Sequence, residues 1–186
     1  MAFFFDRIAR LYDHVARPPD PAPLLGLLRT APGGRVLDLG GGTGRVGQVL
    51  AGRSVTVCDL SAPMARRARD KGLLSCQGRA EALPFASGVF DAVLAVDAFH
   101  HFAGQEAAVR EMLRVVQPGG RVVVVEPDIR HPVVRLVALA ERLLGLTSHM
   151  RSAEDLGALF QRAGGQVVAV ERLGRASFGL VVSCGR

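Results

Sequence analysis

The stretch Val36-Leu37-Asp38-Leu39-Gly40-Gly41-Gly42-Thr43-Gly44 constrains this chain more than any other. Its first half reads as a buried strand, Arg35–Leu39, whose carboxyl end runs into a loop with almost no side chains. Such a loop lets a ligand approach the backbone amides and makes left-handed torsions cheap. Behind it Val46, Val49 and Leu50 recur at helical spacing and predict a helix. A second strand, Val55–Asp59, ends on a carboxylate. In a doubly wound sheet Asp59 then stands beside the glycine loop, at hydrogen-bonding reach of a ribose diol.

The rest of the chain alternates β-branched runs with longer helical patterns, the signature of a mostly parallel sheet covered by helices. Further strands are expected at Leu73–Gln77, Phe90–Val96, Arg121–Glu126, Gln166–Glu171 and Phe178–Ser183. Val122 to Val125 is apolar without alternation, as in a strand covered on both faces. Phe4, Ile8, Leu11 and Val15 predict an amphipathic helix ending before Pro18-Pro19. Glu106 and Arg110 form an i,i+4 pair on a helix stopped by Pro118-Gly119-Gly120, and Ser152 with Asp155 resembles a capping box. The last two strands have no room for a crossover helix between them, so they must pair antiparallel. The expected class is α/β: a doubly wound, mostly parallel seven-stranded sheet with an antiparallel last strand and helices on both faces.

With 186 residues, 49% apolar and 22% charged, the chain has material for one real core, which excludes wholesale disorder. We expect a single domain over 1–186, with a helical lid segment at 1–31 and the α/β core at 32–186. Cys58, Cys76 and Cys184 form no CxxC pair, so a reduced, cytoplasmic protein is the simplest reading. Asp6 and Arg7 break the N-terminal apolar patch before it could serve as a signal-peptide core, and Arg135, Glu141 and Arg142 interrupt the longest apolar stretch, so no membrane span is expected. Net charge is +6, carried almost wholly by scattered arginines, since Lys71 is the only lysine. The excess permits a nucleic-acid partner but marks no patch for one. No histidine or cysteine spacing suits a metal, and no GxSxG elbow exposes a nucleophile.

Two ligands suit the glycine loop. Gly42-Thr43-Gly44-Arg45-Val46-Gly47 satisfies GxGxxG and would suggest NAD(P), although its first glycine lies beyond the strand end. The register that starts at the strand end is Asp38-x-Gly40-x-Gly42-x-Gly44. In that register the sequence resembles the class I S-adenosylmethionine-dependent methyltransferases, a Rossmann-like family. Asp59-Leu60-Ser61-Ala62-Pro63-Met64 resembles their second motif, Gly78 to Phe85 with Phe90-Asp91-Ala92-Val93 the third and fourth, and Gln117-Pro118-Gly119-Gly120 the turn before the fifth strand. Phe5 to Ala9 with Tyr12-Asp13 is most like the ubiquinone/menaquinone-biosynthesis C-methyltransferases and their small-molecule relatives.

The resemblance implies S-adenosylmethionine as cofactor, leaving as S-adenosylhomocysteine. It assigns Asp38, Gly40, Gly42, Thr43 and Gly44 to the methionine and ribose end, and Asp59 and Leu60 to the ribose. Met64, Ala80 and Glu81 fall at the adenine, Val96 and Asp97 near the sulfonium, and Tyr12 in a lid. Arg79 stands where the quinone group carries an acidic or amide residue. A guanidinium accepts no hydrogen bond, which leaves Glu81 or the backbone to meet the adenine amino group. His100 and His101 follow the fourth strand at the ligand-binding end of the sheet, as a general base or as structural histidines. The apolar face of the helix from Pro132 to Gly145 suits a lipophilic or aromatic acceptor, and equally a sheet-packed or homodimer surface. An RNA or protein acceptor, a non-catalytic S-adenosylmethionine-binding protein and an NAD(P)-dependent oxidoreductase are the alternatives.

Overall fold

The valine run 122–125 lies at the heart of a sheet of 7 strands, each of the four with no more than 7% of its surface exposed. The computed structural model describes residues 18–143 and 148–185. The strands are β1 (Arg35–Leu39), β2 (Ser54–Asp59), β3 (Leu74–Gln77), β4 (Phe90–Val96), β5 (Val116–Pro127), β6 (Gln166–Arg172) and β7 (Ser177–Ser183). Their order is β3-β2-β1-β4-β5-β7-β6, with β7 antiparallel to both neighbours and every other pairing parallel.

Period-two alternation divides the core into two layers. Leu37, Leu39, Val93, Ala95, Val122, Val124, Leu180 and Val182 face one side, under α3 (Gln105–Val115) and α5 (Ala153–Arg162). Val36, Leu94, Val123, Val125 and Val181 face the other, where α1 (Pro21–Leu28) buries Leu24, Leu27 and Leu28. The remaining helices are α2 (Ala62–Asp70) and α4 (Pro132–Leu143).

The last hairpin does pair antiparallel, but β7 inserts between β5 and β6, so β6 is the edge. Composition explains the choice. Phe178 to Val182 are all buried and need a strand on each flank, whereas β6 leaves Val168 and Val170 more than half exposed. The helix α1 falls within the helical segment expected at 1–31, where no second helix was marked, and packs Leu24, Leu27 and Leu28 into the core. Its signal is local: Asp20 accepts the Ala22 amide at 3.0 Å and Pro21 opens the first turn. The expected helix through Val46, Val49 and Leu50 is a 3-10 turn, Gly47–Val49. Leu73 and Val55 lie 3.1 Å from where a Cβ on Gly47 would be, and Arg53 already leads into β2, so no length remains for further turns. The amphipathic segment through Phe4, Ile8, Leu11 and Val15, and Tyr12 with it, lies outside the described residues.

Ser152 caps α5 as expected, its Oγ accepting the Asp155 amide at 3.1 Å and donating to the Asp155 carboxylate at 2.9 Å. Ser152→Ala should cost about 1 kcal/mol of stability, read from urea denaturation; an unchanged midpoint would show the cap to be idle.

Candidate functional site

The carboxyl ends of β1, β2 and β4 open into one cleft, as the doubly wound topology requires. It spans roughly 1090 Å³ with the open solvent at its mouth included. Its floor is the glycine loop. Gly40 turns the chain at φ +69° and donates its amide to Cys58 O at 2.8 Å. A Cβ on it would stand 2.7 Å from that of Ala98, so the loop after β1 and the turn after β4 touch only because position 40 has no side chain. Gly42, at φ +56°, faces the open cleft, with only Met64 Sδ near the place of a Cβ, at 3.9 Å.

Asp59 organises this floor. Its Oδ2 accepts the Gly42 amide at 2.9 Å and its Oδ1 the Ser61 amide at 2.8 Å. Ser61 in turn caps α2, accepting the Met64 amide at 3.3 Å. One carboxylate lining the cleft therefore ties the glycine loop to the start of α2. Leu60 is 42% exposed on the rim, and Met64 forms a buried wall.

The β3–β4 loop forms the opposite wall with Ala80 and Glu81. Glu81 Oε1 accepts the Gly104 amide at 2.9 Å, and Oε2 lies 3.5 Å from Arg79 Nε. Arg79 extends into solvent, its side chain 64% exposed. Arg114 braces the loop from α3, donating to Leu83 O and Phe85 O, while Glu111 takes the Leu83 amide at 2.7 Å. Hydrogen bonding to Arg114 holds the Glu111 carboxyl below its usual range.

From β4 come Val96 and Asp97. Asp97 holds φ +51°, a conformation that costs a non-glycine residue about 1–3 kcal/mol and tends to mark functional turns. Its amide donates to Val125 O at 2.9 Å, and its carboxylate reaches Arg45 at 3.5 Å across the mouth.

The structure therefore brings Gly40, Gly42, Asp59, Leu60, Met64, Ala80, Glu81, Val96, Asp97 and His101 to one cleft. Asp38, Thr43, Gly44 and His100 stand behind its wall. Thr43 is fully buried and accepts from Lys71 Nζ at 3.2 Å, and Gly44 packs on Leu73 and Ala68. His100 is buried against Glu126, so of the paired histidines only His101 meets the cleft. Arg45, Cys58 and Phe102 also line it and were not anticipated. Arg45 carried a signal, being the first long side chain after the glycines.

Asp38 is 1% exposed beneath Gly41, and its carboxylate oxygens have no hydrogen-bond partner at normal geometry. Burial raises its pKa to about 7 from 3.8, against weaker downward pulls from Arg45 and the Gly47 amide. The native state thus keeps a proton that the unfolded chain releases, so stability falls as pH rises from about 4 through about 7. A tenfold difference in proton affinity is worth about 1.4 kcal/mol, putting the loss at a few kcal/mol. Asp38→Asn should flatten this slope in urea midpoints taken from pH 5 to pH 8. An undiminished slope in the variant would contradict it.

Among the described residues no three His, Cys, Asp or Glu side chains gather as a metal-ligand set, and no helix is long and apolar enough to cross a membrane.

The family model described as a methyltransferase domain matches residues 37–124, which hold the glycine loop, Asp59, the β3–β4 loop and the turn after β4. The ubiquinone/menaquinone biosynthesis C-methyltransferase of Shewanella woodyi is 36% identical over 120 residues, covering 57% of this chain and 48% of that protein. The demethylmenaquinone methyltransferase of Beutenbergia cavernae is 39% identical over 140 residues, covering 68% and 57%. The chain thus spans about half the length of the curated relatives it matches. A solved S-adenosylmethionine-dependent methyltransferase from Thermotoga maritima shares the fold at a TM-score of 0.81 and 24% identity, over 99% of this chain and 100% of its own. The chain thus carries a methyltransferase domain over residues 37–124 and is similar in sequence and fold to S-adenosylmethionine-dependent methyltransferases.

Proposed function

We propose that the chain binds S-adenosylmethionine in this cleft and transfers its methyl group to a small acceptor. The observation that carries the reading is Asp59: a carboxylate fixed by two backbone amides, beside a floor that any side chain at Gly42 would fill. A carboxylate acceptor so held fits the hydroxyls of a ribose diol, and the space over Gly42 fits the body of the nucleoside. Met64 and Ala80 offer apolar walls to a flat base, and Glu81 or the backbone supplies the acceptor that Arg79 does not.

When bound, the cofactor supplies an electrophilic methyl group on a sulfonium. The chain's own work is then to orient the acceptor and exclude water. Val96 and Asp97 border the methionine end. His101 is the cleft histidine able to take a proton from an acceptor hydroxyl, amine or acidic carbon.

Two observations support a lipophilic or aromatic acceptor. Val133, Leu136, Val137 and Leu139 leave α4 with a broad exposed apolar face near the end of β5, and the curated relatives are named for quinone biosynthesis. The NAD(P) reading loses support from the turn behind Gly44. A dinucleotide site places the pyrophosphate on an α-helix N-terminus, whereas here only a 3-10 turn follows.

Calorimetric titration with S-adenosylhomocysteine and with NADH separates the ligands, binding of the former alone being expected. Labelled cofactor offered with hydrophobic phenols and quinols, small amines and RNA then separates the acceptors. Transfer to RNA with a steep salt dependence would overturn the small-acceptor reading.

A further inference from the structure

Glu126 ends the valine run of β5 and is 4% exposed. A carboxylate there is costly to bury unless every lone pair is used. Its Oε1 accepts the backbone amides of Ala98 at 3.0 Å and Phe99 at 2.9 Å, and its Oε2 meets His100 Nδ1 at 2.5 Å. All three partners belong to the turn after the neighbouring strand β4. The His100 ring lies against that of His101, with centroids 4.0 Å apart. His101 lines the cleft and His100 does not. From the far side His100 O accepts the His149 amide at 2.7 Å, so the turn is held at both flanks.

We infer that Glu126 is a positioning residue for methyl transfer, acting through His100 to hold His101 toward the acceptor. The inference rests on the methyl-transfer reading of the cleft. A leucine would end a buried strand at far lower cost. A carboxylate that gathers two successive amides and an imidazole fixes one conformation of the turn instead, because a hydrogen-bonded buried network rigidifies what it joins. The residue it fixes last is the one that meets the ligand.

A double-mutant cycle tests this, with Glu126→Gln, His101→Ala and their combination measured beside the wild type. Glu126→Gln should lower kcat on the order of 10- to 100-fold, the scale of a small misplacement of a reacting group. KM for the donor and affinity for S-adenosylhomocysteine should stay unchanged. In the His101→Ala background the same substitution should have almost no effect on kcat, since coupled residues are not additive. Equal losses in the two backgrounds would reduce Glu126 to a structural residue and overturn the inference.

Should Glu126→Gln fail to fold, His100→Asn enters the same cycle. Its amide nitrogen replaces Nδ1 toward Glu126 while the ring against His101 is lost. Absence of donor binding by the wild type would sink the methyl-transfer reading by itself. The ring ¹⁵N shifts of His101, compared between wild type and Glu126→Gln without turnover, then decide the positioning separately. A change supports it, and identical shifts overturn it.

Discussion

Asp59→Ala should weaken S-adenosylhomocysteine binding by about 1–3 kcal/mol, the order expected for losing hydrogen bonds to a charged group. In dissociation constants that is roughly a fivefold to 150-fold loss. Two effects add. The carboxylate proposed to accept from the ribose is removed, and the amides of Gly42 and Ser61, at 2.9 and 2.8 Å, lose their acceptor. The glycine floor and the start of α2 are then no longer tied together, so the cleft must be ordered at the ligand's expense. Asp59→Asn separates the two effects, because its single carbonyl oxygen can serve one amide but not both. Calorimetry on the three proteins is the check, and an unchanged dissociation constant in Asp59→Ala would remove Asp59 from the site.

Gly40→Val should be the most damaging single change in the loop. The residue sits at φ +69°, where a β-branched side chain costs about 1–3 kcal/mol. Its Cβ would stand 2.7 Å from that of Ala98, forcing apart the loop after β1 and the turn after β4 at a further cost of about 1–3 kcal/mol. Against a typical domain stability of about 5–15 kcal/mol the protein should still fold, with a clearly lowered melting temperature. Donor binding should be lost at temperatures where the variant remains folded, because the distorted loop carries Gly42, the floor tied to Asp59. Full donor affinity in the folded variant would show that the close approach of these two segments is unimportant.

The parallel core was legible because its strands end abruptly. Arg35–Leu39 and Phe90–Val96 have the bounds expected of them, each an apolar run cut off by glycine or a charged residue. The conjunction of Gly40, Gly42 and Asp59 was legible for a topological reason. In a doubly wound sheet the carboxyl ends of neighbouring strands share one edge, so a loop and a carboxylate distant in sequence become neighbours.

What sequence could not supply was direction. His100 and His101 are chemically alike and adjacent, yet in the 3-10 turn Phe99–His101 successive side chains point about a third of a turn apart. One goes to Glu126 and the other to the cleft. The same limit hid Asp38. Its place in the motif suggested the cofactor, whereas strand alternation turns it beneath Gly41, behind the wall. Glu126 was missed although its signal was present, a lone charge closing four valines, because a strand terminus is an ordinary place for a solvated residue. Only the pairing of β4 with β5 reveals three donors converging on it.

A crystal structure of the chain soaked with S-adenosylhomocysteine tests the nucleoside cradle most directly. It should place the ribose hydroxyls on the Asp59 carboxylate and the base between Met64 and Ala80, over an unmoved Gly42. A nucleoside lodged elsewhere, or side chains collapsed into the space above Gly42 under saturating ligand, would contradict it.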